Sequence, residues 1–252
     1  MSSRLISNSE HKGKLIVIEG TDGSGKKTQT DLLVKSLSEE TGGAESMHPG
    51  TPRGAFKIDF PRYGTPSAYF VEKYLHGEYG TAEEVGPYLG SLFYTLDRFD
   101  HSKIIKEKLE EGTHVICDRF TSANMGHQAG KIDDLKKRDE YLSWLDQTEF
   151  EMCGIPRPDL TIFLFVSPEI NQRLMAQRKD KGYLKGKKQD IHEADMNHLK
   201  KASEAFLYVA KKYGWVIIDC APVSDTNPDG ALLSIPEIQG MIRREISGRL
   251  GI

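Results

Sequence analysis

The sequence predicts a three-layer α/β fold in which a parallel sheet carries helices on both faces. Three observations lead there. Short apolar runs without polar alternation recur along the 252 residues, as strands buried on both faces require. Stretches with apolar residues at helical spacing separate these runs, the pattern of parallel strands joined by crossover helices. The first run, Leu15–Ile18, feeds straight into a glycine-rich turn, Gly20–Lys26, and then into a helix.

In chain order, residues 1–13 read as a flexible tail and the folded domain as 14–252. The strand at Leu15–Ile18 is followed by a helix marked by Leu32, Leu33 and Leu37. Gly42–Gly54, rich in Gly, Pro and polar residues, is a loop. Further buried strands are expected at Ala55–Phe60, His114–Asp118, Leu160–Val166 and Trp215–Asp219. A long helix runs from about Val85 to Leu109, with Leu89, Leu92, Phe93, Leu96 and Ile105 as a stripe for the core. Lys179–Asp190, KDKGYLKGKKQD, is a basic glycine-containing loop, either solvated surface or a mobile cover that brings cations to a reacting phosphate.

Composition narrows the function classes. With 34 basic against 37 acidic residues the net charge is −3, which argues against nonspecific nucleic-acid binding. Cys117, Cys153 and Cys220 stand far apart without metal-ligand spacing, so buried reduced thiols and a cytoplasmic setting are expected. No apolar run has the length of a membrane span, and the first residues lack the apolar segment of a secretory signal.

The chemistry is concentrated in EGTDGSGKKTQT. A polyphosphate needs several backbone N–H groups converging on one concavity, and a glycine turn ahead of a helix N-terminus supplies them together with partial positive charge. Gly20, Gly23 and Gly25 allow close approach, and Lys26 reaches the outer phosphates. Lys27 occupies the slot that usually carries the Mg²⁺-binding hydroxyl, and Thr28 follows. Either Thr28 substitutes for it, or a carboxylate such as Asp22 completes the metal shell with water.

Two further constellations are open at the level of residues. Tyr94 and Arg98 are one helical turn apart: they are either a packed ring and an ion pair involving Asp97, or a surface that holds a base and a phosphate. Asp118 and Arg119 end a buried strand at the carboxyl edge of the sheet, where open α/β proteins bind ligands. They are either a capping ion pair, or a metal-holding carboxylate and a cation for the phosphoryl in flight. His127 and His192 by themselves read as ordinary hydrogen-bonding residues.

Taken together, EGTDGSGKKTQ, FPRYG (60–64), LHGEYG (75–80), LFYTLDR (92–98), CDRFTSANMGHQ (117–128) and RPDLTIFLFVSPE (157–169) resemble thymidylate kinases. The resemblance implies a P-loop NTPase fold with a five-stranded parallel sheet, a lid at about 178–190, and a homodimer. The implied reaction uses Mg²⁺ and ATP to convert dTMP to dTDP. Alternatives are a kinase for another or a broader set of nucleoside monophosphates, and a noncatalytic nucleotide-binding relative. Carried over by position, Gly20, Thr21, Asp22, Gly23, Ser24, Gly25, Lys26, Lys27 and Thr28 hold ATP phosphates, and Asp22 lies near acceptor and metal. Phe60 and Tyr63 line the acceptor pocket, Arg98 and Arg119 bind phosphates, Tyr94 stacks on thymine and Asn124 hydrogen-bonds the base. His127 stands near the sugar, where the family commonly has tyrosine. Asp190 and Glu193 match acidic positions after the lid, and His192 a tyrosine position. Catalysis falls to Lys26, Arg119, Asp22 and the lid's Arg178, and metal binding to Asp22, Thr28 and Asp118.

Overall fold

In the computed structural model of the chain, residues 12–21, 23–40, 54–179, 196–224, 227 and 229–252 are described. Asp22, Asp190, His192 and Glu193 lie outside them, as do residues 1–11, 41–53, which hold all of the expected Gly42–Gly54 loop but Gly54, and 180–195.

β1 (Leu15–Gly20) is central, paired in parallel with β3 (His114–Asp118) on one side and β4 (Leu160–Phe165) on the other. β2 (Ala55–Asp59) lies outside β3 and β5 (Val216–Asp219) outside β4, giving the order β2-β3-β1-β4-β5. Both faces of β1 are buried, because alternate side chains enter different cores. Ile16 and Ile18 pack with Leu33 and Leu37 of α1 (Lys26–Glu40) and with Ile238, Ile242 and Ile246 of α8 (Ile235–Leu250). Leu15 and Val17 face Ile105 and Leu109 of α3 (Ala82–Glu110). Over β4, Phe163 stacks on Phe206 of α7 (Met196–Tyr213) with ring centroids 5.1 Å apart. Tyr141, Leu142 and Leu145 of α5 (Leu135–Asp146) pack against the same helix.

After β1 the chain crosses towards β2, and after β3 it crosses the other way to β4. The carboxyl ends of β1 and β3 therefore border a crevice that no crossover covers. α2 (Tyr69–Leu75) and α4 (Thr121–His127) flank it, and α6 (Pro168–Lys179) follows β4.

Several expectations shift. Gly13 belongs to the folded unit, not the tail: its N–H bonds the Leu109 carbonyl at 3.0 Å, and a Cβ there would stand 2.1 Å from the Thr113 carbonyl oxygen. α3 begins at Ala82, where Thr81 and Glu84 form a reciprocal cap, and it kinks at Gly86–Pro87. Its stripe also divides. Phe93 and Ile105 are buried, whereas Leu89, Leu92 and Leu96 are 47, 37 and 47% exposed, and Phe99 extends the same outward row. Helical spacing identifies an apolar face but not what covers it. The first two positions of the expected lid, Arg178 and Lys179, are the last residues of α6; the Arg178 side chain lies outside the described residues.

Candidate active site

The turn after β1 forms a cradle. Gly23 and Gly25 have φ of 81° and 83°, left-handed angles that a side chain resists. Gly20 is packed so closely that a Cβ would meet the Leu164 carbonyl oxygen at 2.7 Å. Thr21 ties the turn to β4, donating from Oγ1 to the Val166 carbonyl and accepting from the Val166 N–H. Lys26, the first residue of α1, folds Nζ back over the carbonyls of Gly20 and Thr21 at 2.9 and 3.0 Å. Two buried polar atoms at this turn have no partner among the described residues: Ser24 Oγ and Asn171 Oδ1. Asn171, on α6, aims that oxygen at Gly23, where a Cβ would approach it to 2.7 Å. The helix N-terminus, the ammonium and the Ser24 hydroxyl, which can donate, together make a site for an anion, whereas Asn171 Oδ1 can only accept.

Lys27 points elsewhere. Its ammonium pairs with Asp31 at 2.8 Å on the exposed surface of α1, so the cation in the usual hydroxyl slot is turned away from the turn. Thr28 is exposed on the same first turn of the helix.

Beside the cradle opens a cavity of about 690 Å³ whose lining includes Asp59, Phe60, Tyr63, Asp118, Arg119 and His127 together with Tyr94, Arg98 and Asn124. That volume suits a nucleotide-sized ligand. Burial pushes the Asp118 carboxyl up, while Lys26 and Arg119 pull it down, which places all three groups in one electrostatic neighbourhood at the ends of β1 and β3. Arg119 sits at φ 63°, a left-handed angle uncommon for any residue with a side chain, which the fold imposes at this strand end. Its N–H bonds the Ile18 carbonyl at 3.1 Å, and Nη1 donates to His127 Nε2 at 2.8 Å. Because a guanidinium only donates, His127 offers its bare nitrogen, and the ring is braced edge-on against Phe206 at 5.1 Å.

Glu19 is a site residue that motif reading passed over. It is fully buried under the cradle, accepting from the Gly20 N–H at 3.0 Å and the Ser122 hydroxyl at 2.9 Å. Desolvation raises its pKa, and Arg119 and Lys26 oppose that rise. The available signal was a carboxylate inside the apolar run LIVIEG, since a buried charge needs partners and so marks where cations gather.

Deeper in, the ion pair expected between Arg98 and Asp97 is replaced by another. Asp97 accepts the Arg62 N–H at 2.8 Å and the Ser67 hydroxyl at 2.5 Å, holding the loop that carries Tyr63. Arg98, 1% exposed, pairs bidentately with fully buried Glu149, Nε to Oε2 at 2.7 Å and Nη2 to Oε1. Its charge is thus already balanced. Asn124 donates from Nδ2 to the Ser91 carbonyl and to Glu149 Oε1, both at 3.2 Å. Tyr94 stands edge-on to Tyr74 at 6.3 Å. Sequence reasoning missed Glu149, which enters through a π-helical segment, Gln147–Met152, and carries no local signature.

Comparison with known proteins adds an independent line. The family model described as thymidylate kinase matches residues 18–226. A thymidylate kinase of Plasmodium falciparum is 28% identical over 214 residues, 85% of each chain. One from Prochlorococcus marinus strain AS9601 is 30% identical over 214 residues, 83% of this chain and 89% of the relative. Among solved structures, a thymidylate kinase from Candida albicans superposes with a TM-score of 0.65 at 23% identity, covering 94% of this chain and 92% of the other. That last likeness carries the fold.

Proposed function

The chain belongs to the thymidylate kinase family, and from this premise we propose that it transfers the γ-phosphoryl of Mg-ATP to the 5′-phosphate of dTMP, giving dTDP and ADP in one in-line step. The observation that carries the reading is the meeting of two sites at one crevice. The cradle with Lys26 opens beside a cavity lined by Asp118 and Arg119 and also by Tyr94, Arg98 and Asn124.

In this arrangement catalysis is positioning and charge neutralisation. Gly20–Thr28 amides grip the donor phosphates, and Lys26 swings from the Gly20 and Thr21 carbonyls onto them. Arg119, held by His127, faces the transferring group. The acceptor oxygen is already anionic, so no strong general base is needed.

Arg98 takes the nucleobase end instead of the acceptor phosphate, because a guanidinium neutralised by Glu149 and 1% exposed suits an uncharged ring edge better than a dianion. Tyr94 provides the stacking face and Asn124 a hydrogen bond, while Phe60 and Tyr63 close the near wall.

Magnesium fits the donor set. Among the described residues there is no cluster of three His, Cys, Asp or Glu to cage a metal, and Mg²⁺ prefers one or two carboxylates shared with phosphates and water. Asp118, with Thr28 and Asp22, would hold it, and it would supply neutralisation of phosphate charge.

The outward row Leu89, Leu92, Leu96 and Phe99 on α3 supports a homodimer packed along that helix. No helix among the described residues is long and apolar enough to cross a membrane, and the three thiols are free, in keeping with a cytoplasmic enzyme. The basic segment 178–190 with Arg178 would serve as the lid, with Asp190 and His192, close to its end in sequence, as substrate-binding residues.

A coupled ADP-release assay over dTMP, dUMP, dCMP, dGMP and UMP tests the proposal. The highest kcat/KM is expected for dTMP. Comparable turnover of UMP would favour a broader kinase, with His127 at the sugar as the reason. ATP binding without dTDP formation in excess Mg²⁺ would overturn the kinase reading.

A further inference from the structure

We propose that Glu149 is a positioning residue that fixes which hydrogen-bonding atoms Arg98 and Asn124 turn towards the nucleobase, and so selects a pyrimidine with an imide edge over an aminopyrimidine. This rests on the reading above that the base lies against Tyr94, Arg98 and Asn124.

Glu149 does not line the cavity, whereas Arg98 and Asn124 do. It stands behind them with both oxygens engaged. Oε1 accepts from Arg98 Nη2 and Asn124 Nδ2 and lies 3.1 Å from the Thr95 hydroxyl. Oε2 accepts from Arg98 Nε and from the Thr121 hydroxyl at 2.9 Å. A carboxylate only accepts, so it dictates the orientation of every group around it. Asn124 must turn its amide nitrogen inward, an assignment fixed by chemistry because its two partners there, Glu149 Oε1 and the Ser91 carbonyl, are both acceptors. Its Oδ1 is then the atom left for a ligand, as an acceptor.

Arg98 is locked by two of its N–H groups on the same carboxylate, and its Nη1 is spent only on a long 3.4 Å contact to the Phe120 carbonyl. The wall therefore presents an acceptor beside a donor. Thymine and uracil answer with a ring N–H beside a carbonyl; cytosine answers with a bare ring nitrogen beside an amino group, opposite at both points. A site built to pair with specific polar groups penalises the mismatch strongly, since buried partners are left unmet. The carboxylate reaches this place through the π-helical turn Gln147–Met152, a widening often found at functional sites.

The test is steady-state kinetics on dTMP and dCMP for the full chain and for Glu149→Gln, whose amide can no longer accept at both positions. The variant is expected to raise KM for dTMP at least 10-fold with kcat within 3-fold, and to lower the dTMP-to-dCMP preference at least 10-fold. A residue that merely stabilised the fold would change melting temperature and leave that ratio in place, so an unchanged ratio overturns the proposal. Should Glu149→Gln fail to fold, Thr121→Val decides: it removes one of the two donors that hold Oε2, leaving Arg98 Nε, without changing charge, and a preference lowered 3-fold or more supports the role while an unchanged one overturns it. Wild-type protein that turns over dTMP while the variants keep its preference refutes this inference alone; wild-type protein inactive on dTMP refutes the parent reading and this one with it.

Discussion

Lys131 is a cation placed where a cation is costly, and its replacement gives a measurable consequence. Its ammonium is half-buried, donating to the Tyr74 hydroxyl at 2.8 Å and the Ala82 carbonyl at 3.0 Å and lying 5.5 Å from the Tyr74 ring centroid. Desolvation lowers its pKa from 10.5 to about 8. At ~1.4 kcal/mol per decade, a fall of that size corresponds to about 3 kcal/mol, and partial solvent access reduces the figure to about 2 kcal/mol. The sign follows from proton binding. Between pH 8 and 10.5 the unfolded chain holds this proton and the folded chain does not, so stability rises with pH across that window and is lowest below it. Lys131→Met removes the titrating charge together with its hydrogen bonds to Tyr74 and Ala82, so what the shift predicts is the pH dependence: the stability of the variant relative to wild type should fall by about 2 kcal/mol between pH 7 and about pH 10.5. Urea unfolding of both proteins at several pH values, read as a difference, cancels the opposing contribution of the thiols of buried Cys117 and Cys220 and of half-buried Cys153, whose pKa values desolvation raises. A difference that stays flat from pH 7 to 10.5 would refute the reasoning.

Three further outcomes bear on the site and its surface. Lys26→Met should lower kcat by about 10³-fold or more, the loss expected if the ammonium that now bonds the Gly20 and Thr21 carbonyls neutralises transferring charge; near-normal turnover would remove it from the mechanism. His127→Phe keeps the edge contact with Phe206 but deletes the acceptor for Arg119, and kcat/KM for dTMP should fall about 10-fold; unaltered kinetics would show that the guanidinium needs no brace. Leu92→Glu, on the exposed row of α3, should convert a species of twice the chain mass into monomer by light scattering, and a wild-type monomer would refute the dimer.

Much of this fold is legible because its signals are local. The strand at His114–Asp118 matches its sequence bounds, and the other four shift by no more than two residues at either end, since a strand buried on both faces must be continuously apolar. The cradle is equally local: seven consecutive residues, Gly20 to Lys26, contain both the left-handed turns and the lysine. What the sequence by itself determined, then, is the order of elements, the glycine turn with its lysine, and the placing of Asp118 and Arg119 at a strand's carboxyl end.

Tertiary structure decided the rest, because it depends on partners distant in the chain. Arg98 was readable as a ligand cation, but its charge is balanced by Glu149, 51 residues on. Asn124 was readable as a base contact, but which of its amide atoms is offered depends on the same carboxylate. Leu89, Leu92 and Leu96 have the spacing of a core stripe yet face outward, because periodicity records that a surface avoids water and not whether this chain or a second copy covers it. A charge balance and a covered face are properties of neighbours in space, and only the folded chain chooses those neighbours.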